Sequence, residues 1–459
     1  MNQNDKTPRK KKCILTFARA WNTLAATRCL GRQGIEVITG DTSTFAAANF
    51  SRYSKEHFTY PNPDEDPEGF IDKLVHVALS HWAPDTDIVL MPLHTDTYAV
   101  VRNQTRFERL VKMALPSKDQ FELAGNKNKL AHFCEKFKIN MPPTLVVDKP
   151  SDFAKGARKF NYPAFLKIPT STASIGMRKV NSDDEAIRYF NEMIKQYDLT
   201  KPAQYPILQQ CVEGEDYCAT FLFDHGERRA CMTYHNILNY PRGSGMGAVR
   251  ETVDVPEIEA MGSEILRKMN WHGLAEIDFR WDKVSEPWLI EINPRFWGGL
   301  AQSIESGWDY PHLLYKLAVE NSVESVNPEK RYVRTWNPAL TILLAFQEFM
   351  ESRHSQKELA HAYKEFQNEF KKDNFKAIGG LLGKVGAVLD PRERFNAIKS
   401  IEKVLKDEHG AVNEFFSWED PLPMLGLLYP LMVFIRHGQI SPELLIGKAK
   451  IDEEESGGT

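Results

Sequence analysis

The sequence predicts a mixed α/β and α+β protein: a parallel-sheet domain first, an α+β region through the middle, and a mostly helical C-terminal extension. Three observations carry this. Strand-like and helix-like segments alternate between Cys13 and Met91. From Asn126 to Glu320, strands with one polar and one apolar face are interspersed with helical stretches. Beyond about Asn327, Ser355 to Phe370 and Arg392 to Lys406 carry helical periodicity and many charges. Alternating strands and helices imply a parallel sheet, because parallel strands need long crossover connections.

Cys13 to Phe17 reads as the first strand, and Trp21 to Arg32 as a helix stopped at Gly34, a residue suited to the turn that ends a helix. Ile35 to Thr39 is the next strand and Asp87 to Met91 a later buried one. Ligands of such sheets gather at the strands' C-terminal ends. Ala18-Arg19-Ala20 and His94-Thr95-Asp96 stand there, either to hold a substrate or to cap helices. The dinucleotide glycine fingerprint is absent, which argues against an NAD site. This domain is expected over 13–125, after a flexible basic tail, 1–12, whose charges between Lys6 and Lys12 stay in solvent.

At 459 residues the chain exceeds one core, and two to four domains are expected. Its 42% apolar and 26% charged residues are a globular composition. A net charge of −4 exerts no general pull toward nucleic acid or an anionic surface. The cysteines, Cys13, Cys29, Cys134, Cys211, Cys218 and Cys231, form no Cys-x-x-Cys pair, which disfavours a zinc site or a disulfide framework. Free thiols point to a reducing cytoplasm. No secretory signal is apparent, since Arg19 interrupts the apolar stretch after the basic run. The longest uncharged apolar run, Pro421 to Ile435, is shorter than the ~20 residues of a membrane-spanning helix and is broken by prolines. It reads as a buried helix or a partner-facing surface, such as a homodimer contact, with loose membrane attachment as the alternative.

In the middle region, Asn126 to Lys138 is a helix that breaks at Asn140-Met141-Pro142-Pro143. Tyr162 to Ile168 and Lys179 to Val180 are strands around a loop. Ile207 to Val212 and Tyr217 to Phe223 are strands around Glu213-Gly214-Glu215-Asp216, and Glu257 to Met269 is a helix. Two strands then concentrate polar groups. In Ala275 to Arg280, Glu276, Asp278 and Arg280 share one face; in Leu289 to Asn293, Glu291 and Asn293 share one, with Ile290 and Ile292 opposite. Carboxylates and an amide converging from paired strands make a hard oxygen site suited to Mg²⁺ beside phosphates. Arg295 follows, a fixed cation for a developing negative charge.

Glu291-x-Asn293-x-Arg295 with Asp278 one hairpin upstream resembles the metal-binding end of the ATP-grasp superfamily, and the resemblance extends over roughly Asn126 to Glu320. It implies a two-lobed ATP-grasp fold over 126–326, with a small lobe at about 140–212, behind an N-terminal Rossmann-like pre-ATP-grasp domain; 327–459 is left as the helical extension. Asn126-Lys127 resembles the helix start whose lysine reaches ATP phosphates, with Asn in place of the usual Asp; Lys127 is the match and Lys129 the alternative register. Lys167, inside an apolar strand, needs a partner that a phosphate would supply. Thr170 to Val180 is similar to the phosphate-covering loop of D-alanine–D-alanine ligases, with Ser174 and Gly176 the implied contacts. Gln209, Gln210 and Val212 fall on the implied adenine-holding hinge, and Asp216, with Glu215 as rival, on the ribose position. For the metals, Asp278 would bind one Mg²⁺, Glu291 bridge two and Asn293 ligate the second, with Mn²⁺ as a substitute.

The whole chain resembles the carboxylate–amine ligases of that superfamily. The implied reaction is ATP + carboxylate + amine → ADP + phosphate + amide through an acylphosphate, with Arg295 and Lys167 as the catalytic side chains. The substrates are small molecules, amino acids or peptides among them, and no nucleic acid is implied. Tyr240 to Arg250 reads as a mobile glycine-rich loop offering Arg242 or Arg250 to a substrate carboxylate, or as a flexible turn with solvated arginines. His235 and His272 read as structural. The alternatives are another ATP-grasp reaction, such as carboxylation or acylphosphate formation alone, and a non-catalytic ATP-binding scaffold.

Overall fold

The computed structural model describes residues 9–170, 176–240, 245–329, 331–341, 344 and 411–427. The first sheet follows from alternation. Strands β1 (Lys10–Leu15), β2 (Glu36–Asp41), β3 (Ser54–Thr59) and β4 (Thr86–Met91) lie in the order β3-β2-β1-β4, all parallel, with α1 (Trp21–Arg32), α2 (Pro67–His81) and α3 (Thr97–Arg102) between and after them. Ile14, Ile38, Leu90 and Phe70 pack one face of this sheet, while Cys13, Leu15, Val37 and Val89 pack the other. The basic run does not remain a tail throughout. Lys10 to Lys12 open β1, Lys12 meets Glu36 at 2.9 Å, and Arg9 meets Asp87 at 2.9 Å, so pairing partners recruit these cations into the sheet. The sequence reading also passed over β3, whose exposed Lys55, Glu56 and His57 hide its pattern, and α2 after it.

Helices α4 (Lys118–Gly125) and α5 (Lys127–Phe137) lead to the second sheet. Strands β5 (Thr144–Leu145), β6 (Ala164–Lys167), β7 (Met177–Val180) and β8 (Ile207–Gln210) pair antiparallel in the order β5-β8-β6-β7. Helices α6 (Pro150–Ala157) and α7 (Asp183–Gln196) cover one face, with Phe153 and Phe190 stacked 3.8 Å apart.

The third sheet is the largest. It holds β9 (Glu215–Asp224), β10 (Glu227–Tyr240), β11 (Met246–Val253), β12 (Gly273–Trp281), β13 (Trp288–Asn293), β14 (Arg334–Trp336) and β15 (Val412–Asn413), in the order β13-β12-β9-β10-β11-β14-β15. All its pairings are antiparallel except β14 with β15. Ala219, Phe221, Ile277, Phe279 and Ile292 pack one face against α5 and α8 (Pro256–Lys268). On the other face, α9 (Leu300–Glu305) and α10 (Tyr310–Glu320) bury Leu222 and Met232 in a core that also takes in α1, which fixes the first sheet against the third.

One expectation changes here. Tyr240 to Arg250 is not one mobile loop: Tyr240 ends β10, and Met246 to Val253 are β11. Both faces of β11 are covered and Arg250 is buried by an ion pair, so no polar and apolar alternation marks the strand. The helical readings over 355–370 and 392–406 lie outside the described residues, as do Ser174 and Arg242. Of the run from Pro421 to Ile435 only residues 421–427 are described, and they hold a 3-10 turn at Leu422–Leu427. Among the described residues no helix is long and apolar enough to cross a membrane.

Candidate functional site

The registers of the third sheet carry polar side chains from strand to strand onto one face. Asp278 lies opposite Glu291 on β13 and Cys218 on β9; Glu276 lies opposite Asn293; Cys218 faces Tyr234 on β10; and Asn236 faces Arg250 on β11. This face looks into a cleft of about 360 Å³, a volume in the range of small-ligand sites. The second sheet forms the opposite wall and the C-terminal ends of the first sheet one end. Lys127, Lys167, Gln209, Gln210, Val212, Asp216, Asp278, Glu291, Asn293 and Arg295 all line it.

At its floor, the Lys127 ammonium meets Glu291 at 3.0 Å, and Lys167 donates to Gln209 Oε1 at 2.7 Å. Asn126 caps α5 by accepting from the backbone N–H groups of Asn128 and Lys129, so Asn does the structural work of the Asp it replaces and sets Lys127 at the helix start. The backbone N–H of Lys127 donates to Pro169, tying this helix to the exit of β6. Lys129 instead pairs with Glu122 at 2.7 Å and does not line the cleft.

Asn293 Nδ2 donates to Glu276 and to Asp278, each at 3.3 Å, while its Oδ1 accepts from Arg295 at 3.2 Å. Tyr234 donates to Glu276. Burial, then the charges of Glu276 and Glu291, pushes the Asp278 carboxyl well above the usual carboxylate range. Burial would also raise Glu291, but Lys127 and Lys167 outweigh it and hold it at about 2. Burial and mutual repulsion therefore keep Asp278 and Glu276 from carrying full charge until a cation is present. Crowded carboxylate oxygens of this kind fit a hard divalent cation. Asn293 fits with a condition: it must turn its amide to present Oδ1. A second trio, Asp224, His225 and His272, lies together at the β9–β10 turn, where burial drops His272 to about 4. His235 stacks on Tyr217 and sits between Glu215 and Glu251.

The hinge is shaped by backbone. Gly214 has φ +125°, and a Cβ there would lie 2.7 Å from the Trp281 backbone, so β9 starts where only glycine passes. Asp216 lines the cleft and is met by Arg280 at 2.8 Å and by Asn239 at 2.6 Å; Glu215 is exposed and meets Lys283 at 2.8 Å. Gln209 is committed to Lys167 and to the Thr144 hydroxyl. Gly176 takes φ +63° at the end of the loop, its carbonyl accepting from Ile168 at 3.0 Å; it is absent from the cleft lining, where Met177 stands instead.

Two features, the inward turn of Ile290 and the role of Glu414, escaped the sequence reading. Ile290 was expected opposite Glu291, but a bulge between the pairs Asp278/Glu291 and Phe279/Leu289 leaves it unpaired and turns it into the cleft. Strict alternation cannot reveal a bulge. At the first sheet's end, Phe17 and His94 stack 4.4 Å apart beside Arg19, which is bound to Asp41; this end of the strands does face the cleft. Glu414 reaches Arg250 at 2.6 Å from 164 residues away, and no local signal marks it.

Residues 207–338 match the family described as "ATP-grasp in the biosynthetic pathway with Ter operon". The D-alanine--D-alanine ligase B of Chromobacterium violaceum is 26% identical over 164 residues, 34% of this chain and 52% of that protein. The chain thus spans about half the length of that curated relative. An L-amino acid ligase from Bacillus licheniformis has a similar structure, with TM-score 0.55 and 16% identity over 72% of this chain and 80% of that one. So has the biotin carboxylase domain of the Hydrogenobacter thermophilus 2-oxoglutarate carboxylase, whose complex holds MgADP, ADP and bicarbonate, with TM-score 0.55 and 15% identity over 71% and 73% of the two chains. At such identities the structural likenesses show a shared fold. The ATP-grasp resemblance and the mixed α/β architecture are borne out.

Proposed function

We propose that the protein is an ATP- and Mg²⁺-dependent ligase that joins a carboxylate to an amine through an acylphosphate, releasing ADP and phosphate. The observation that carries this is the floor of the cleft, where Lys127 and Lys167 from one wall face Glu291, Asp278 and Asn293 from the other. In this reading Gln210 and Val212 edge the adenine, Ile290 packs its face, and Asp216 takes the ribose side. The lysines neutralise the phosphates, so a carboxylate can approach the terminal phosphoryl group. Asp278, Glu291 and Asn293 would hold Mg²⁺, which supplies charge neutralisation at the phosphates. Arg295, steadied by the Phe296 carbonyl, stabilises the oxyanion formed when the amine attacks. The reading requires no side-chain nucleophile, in keeping with the thiols of Cys13, Cys134 and Cys218, which burial raises.

The test is release of ADP from ATP in the presence of pooled carboxylic acids and amines, with hydroxylamine added to trap the acylphosphate as a hydroxamate. Glu291→Gln is expected to abolish turnover while leaving the fold intact; near-normal activity would refute the metal assignment. Turnover with bicarbonate and no amine would favour a carboxylase, and ATP binding without turnover a scaffold.

A further inference from the structure

One wall of the cleft is completed from far along the chain. Residues 411–427 leave the edge of the third sheet at β15 and cross to the first sheet. Phe415 packs on Ala18, Leu24 and Ala47, and Asp420 forms a buried pair with Arg28 at 2.9 Å. Gly426 reaches the cleft against Ala47, where a Cβ would lie 2.5 Å from the Ala47 Cβ. On the way, Glu414 is placed beneath Arg250. Its Oε1 accepts from Arg250 at 2.6 Å and from Thr335 at 2.7 Å, and both charged side chains are buried. The guanidinium is slotted between glycines: a Cβ at Gly299 would lie 3.0 Å from Arg250 Cδ and Nε, and one at Gly298 3.7 Å from Nη2. Arg250 nevertheless lines the cleft, three strands along the sheet from the carboxylates of β12.

A buried arginine held by a dedicated carboxylate and walled by glycine backbone cannot swing, so its remaining donors point at a fixed place. A planar fork of donors matches a carboxylate. The reacting carboxylate has Arg295 and the lysines at the other side of the cleft. We infer that Arg250 anchors a second, non-reacting carboxylate on the amine substrate, which makes that substrate an α-amino acid or a similar carboxylate-bearing amine. Glu414, delivered by the strap 411–427, is the positioning residue for this anchor. The inference rests on the proposed ligase reading for the word substrate, and its binding test stands apart from turnover.

The full-length protein, saturated with MgADP, is titrated calorimetrically with the twenty L-amino acids and with their decarboxylated amines. At least one amino acid is expected to bind, and its amine about tenfold to hundredfold more weakly, the range for losing charge-assisted hydrogen bonds. The paired change Arg250→Met with Glu414→Met removes both charges together and so preserves the fold, which its melting temperature checks. It is expected to lose amino-acid binding by a similar factor while ADP affinity stays within twofold. Glu414→Gln raises the amino-acid KM more than it lowers kcat, and Glu414→Asp restores part of the loss. No amino-acid binding, equal binding of amine and amino acid, or full affinity in the double variant would overturn the anchor. Amino-acid binding that needs Arg250 in a protein releasing no ADP would keep the anchor and sink the ligase reading.

Discussion

Replacing Lys167 with Met separates what this residue costs the fold from what it does for a nucleotide. Lys167 is 7% exposed, and its ammonium has Gln209 Oε1 at 2.7 Å. Burial lowers it from 10.5 to about 8, against the pull of Glu291 and with Lys127 adding to the drop. At ~1.4 kcal/mol per decade this disfavours the charged form by about 3 kcal/mol. The folded value lies below the unfolded one. Below about pH 8 both states hold the proton and the folded state bears the full cost. Between about 8 and 10.5 the unfolded chain binds more protons, so stability rises with pH until the cost is gone. Methionine removes the charge at similar length but leaves Gln209 Oε1 without its donor, a loss of about 1–3 kcal/mol. In the absence of nucleotide, Lys167→Met is therefore expected to be between unchanged and ~2 kcal/mol more stable at pH 7, and less stable than the parent protein above pH 10. Its MgADP affinity should fall at least tenfold. Urea midpoints at the two pH values, with calorimetric titration of MgADP, give both numbers. A variant destabilised by more than ~1 kcal/mol at pH 7, or one that keeps its ADP affinity, would refute the view that Lys167 is buried for a phosphate.

Asp420→Ala strands Arg28, 8% exposed at its side chain, and also removes the acceptor of Ser51 and of the Arg52 N–H. Losing one partner of a buried pair costs about 3–5 kcal/mol, so amide exchange across 411–427 should speed up sharply while β12 and β13 keep their protection. Gly214→Ala forces a Cβ against the Trp281 backbone at a φ of +125°, so a melting temperature lowered by the equivalent of about 1–3 kcal/mol and weaker ADP binding are expected.

Local periodicity made α1 and three of the seven strands of the third sheet, β9, β12 and β13, legible, because the spacing of their buried residues is written in consecutive positions. The floor of the site was legible for the same reason: Asp278, Glu291 and Asn293 come from one hairpin, and the helix start at Asn126 carries its own cap. What failed to show depends on distant partners. β11 read as loop because Arg250 is buried only by virtue of Glu414, 164 residues away. Arg9 to Lys12 read as tail because their acids, Asp87, Asp85 and Glu36 among them, belong to other segments. Ile290 was placed on the wrong face because a bulge changes the count by one, and nothing in a run of isoleucines says where the count changes.

The pair of Lys127 and Glu291 sharpens one further expectation. Across the cleft floor these groups already neutralise each other at 3.0 Å, so the protein holds its charges without a ligand. On the proposed function, a triphosphate entering there takes over Lys127 and releases Glu291 to face phosphate oxygens of like charge. Two such charges about 4 Å apart repel by about 4 kcal/mol at the effective dielectric of a partly solvated cleft. Asp278, whose carboxyl is kept protonated by burial and by the charges of its neighbours, gives no help without a cation to take the place of its proton. A nucleotide without a divalent cation therefore breaks one ion pair and makes a poor replacement, whereas one with Mg²⁺ replaces both halves of it. ADP should then bind at least tenfold more tightly with Mg²⁺ than in excess EDTA. In Glu291→Gln, where the displaced charge is absent, the metal-free affinity should rise and most of that difference should disappear. Equal ADP affinity in the two conditions, or an undiminished difference in the Gln variant, would show that Glu291 is not the group set free when the nucleotide enters.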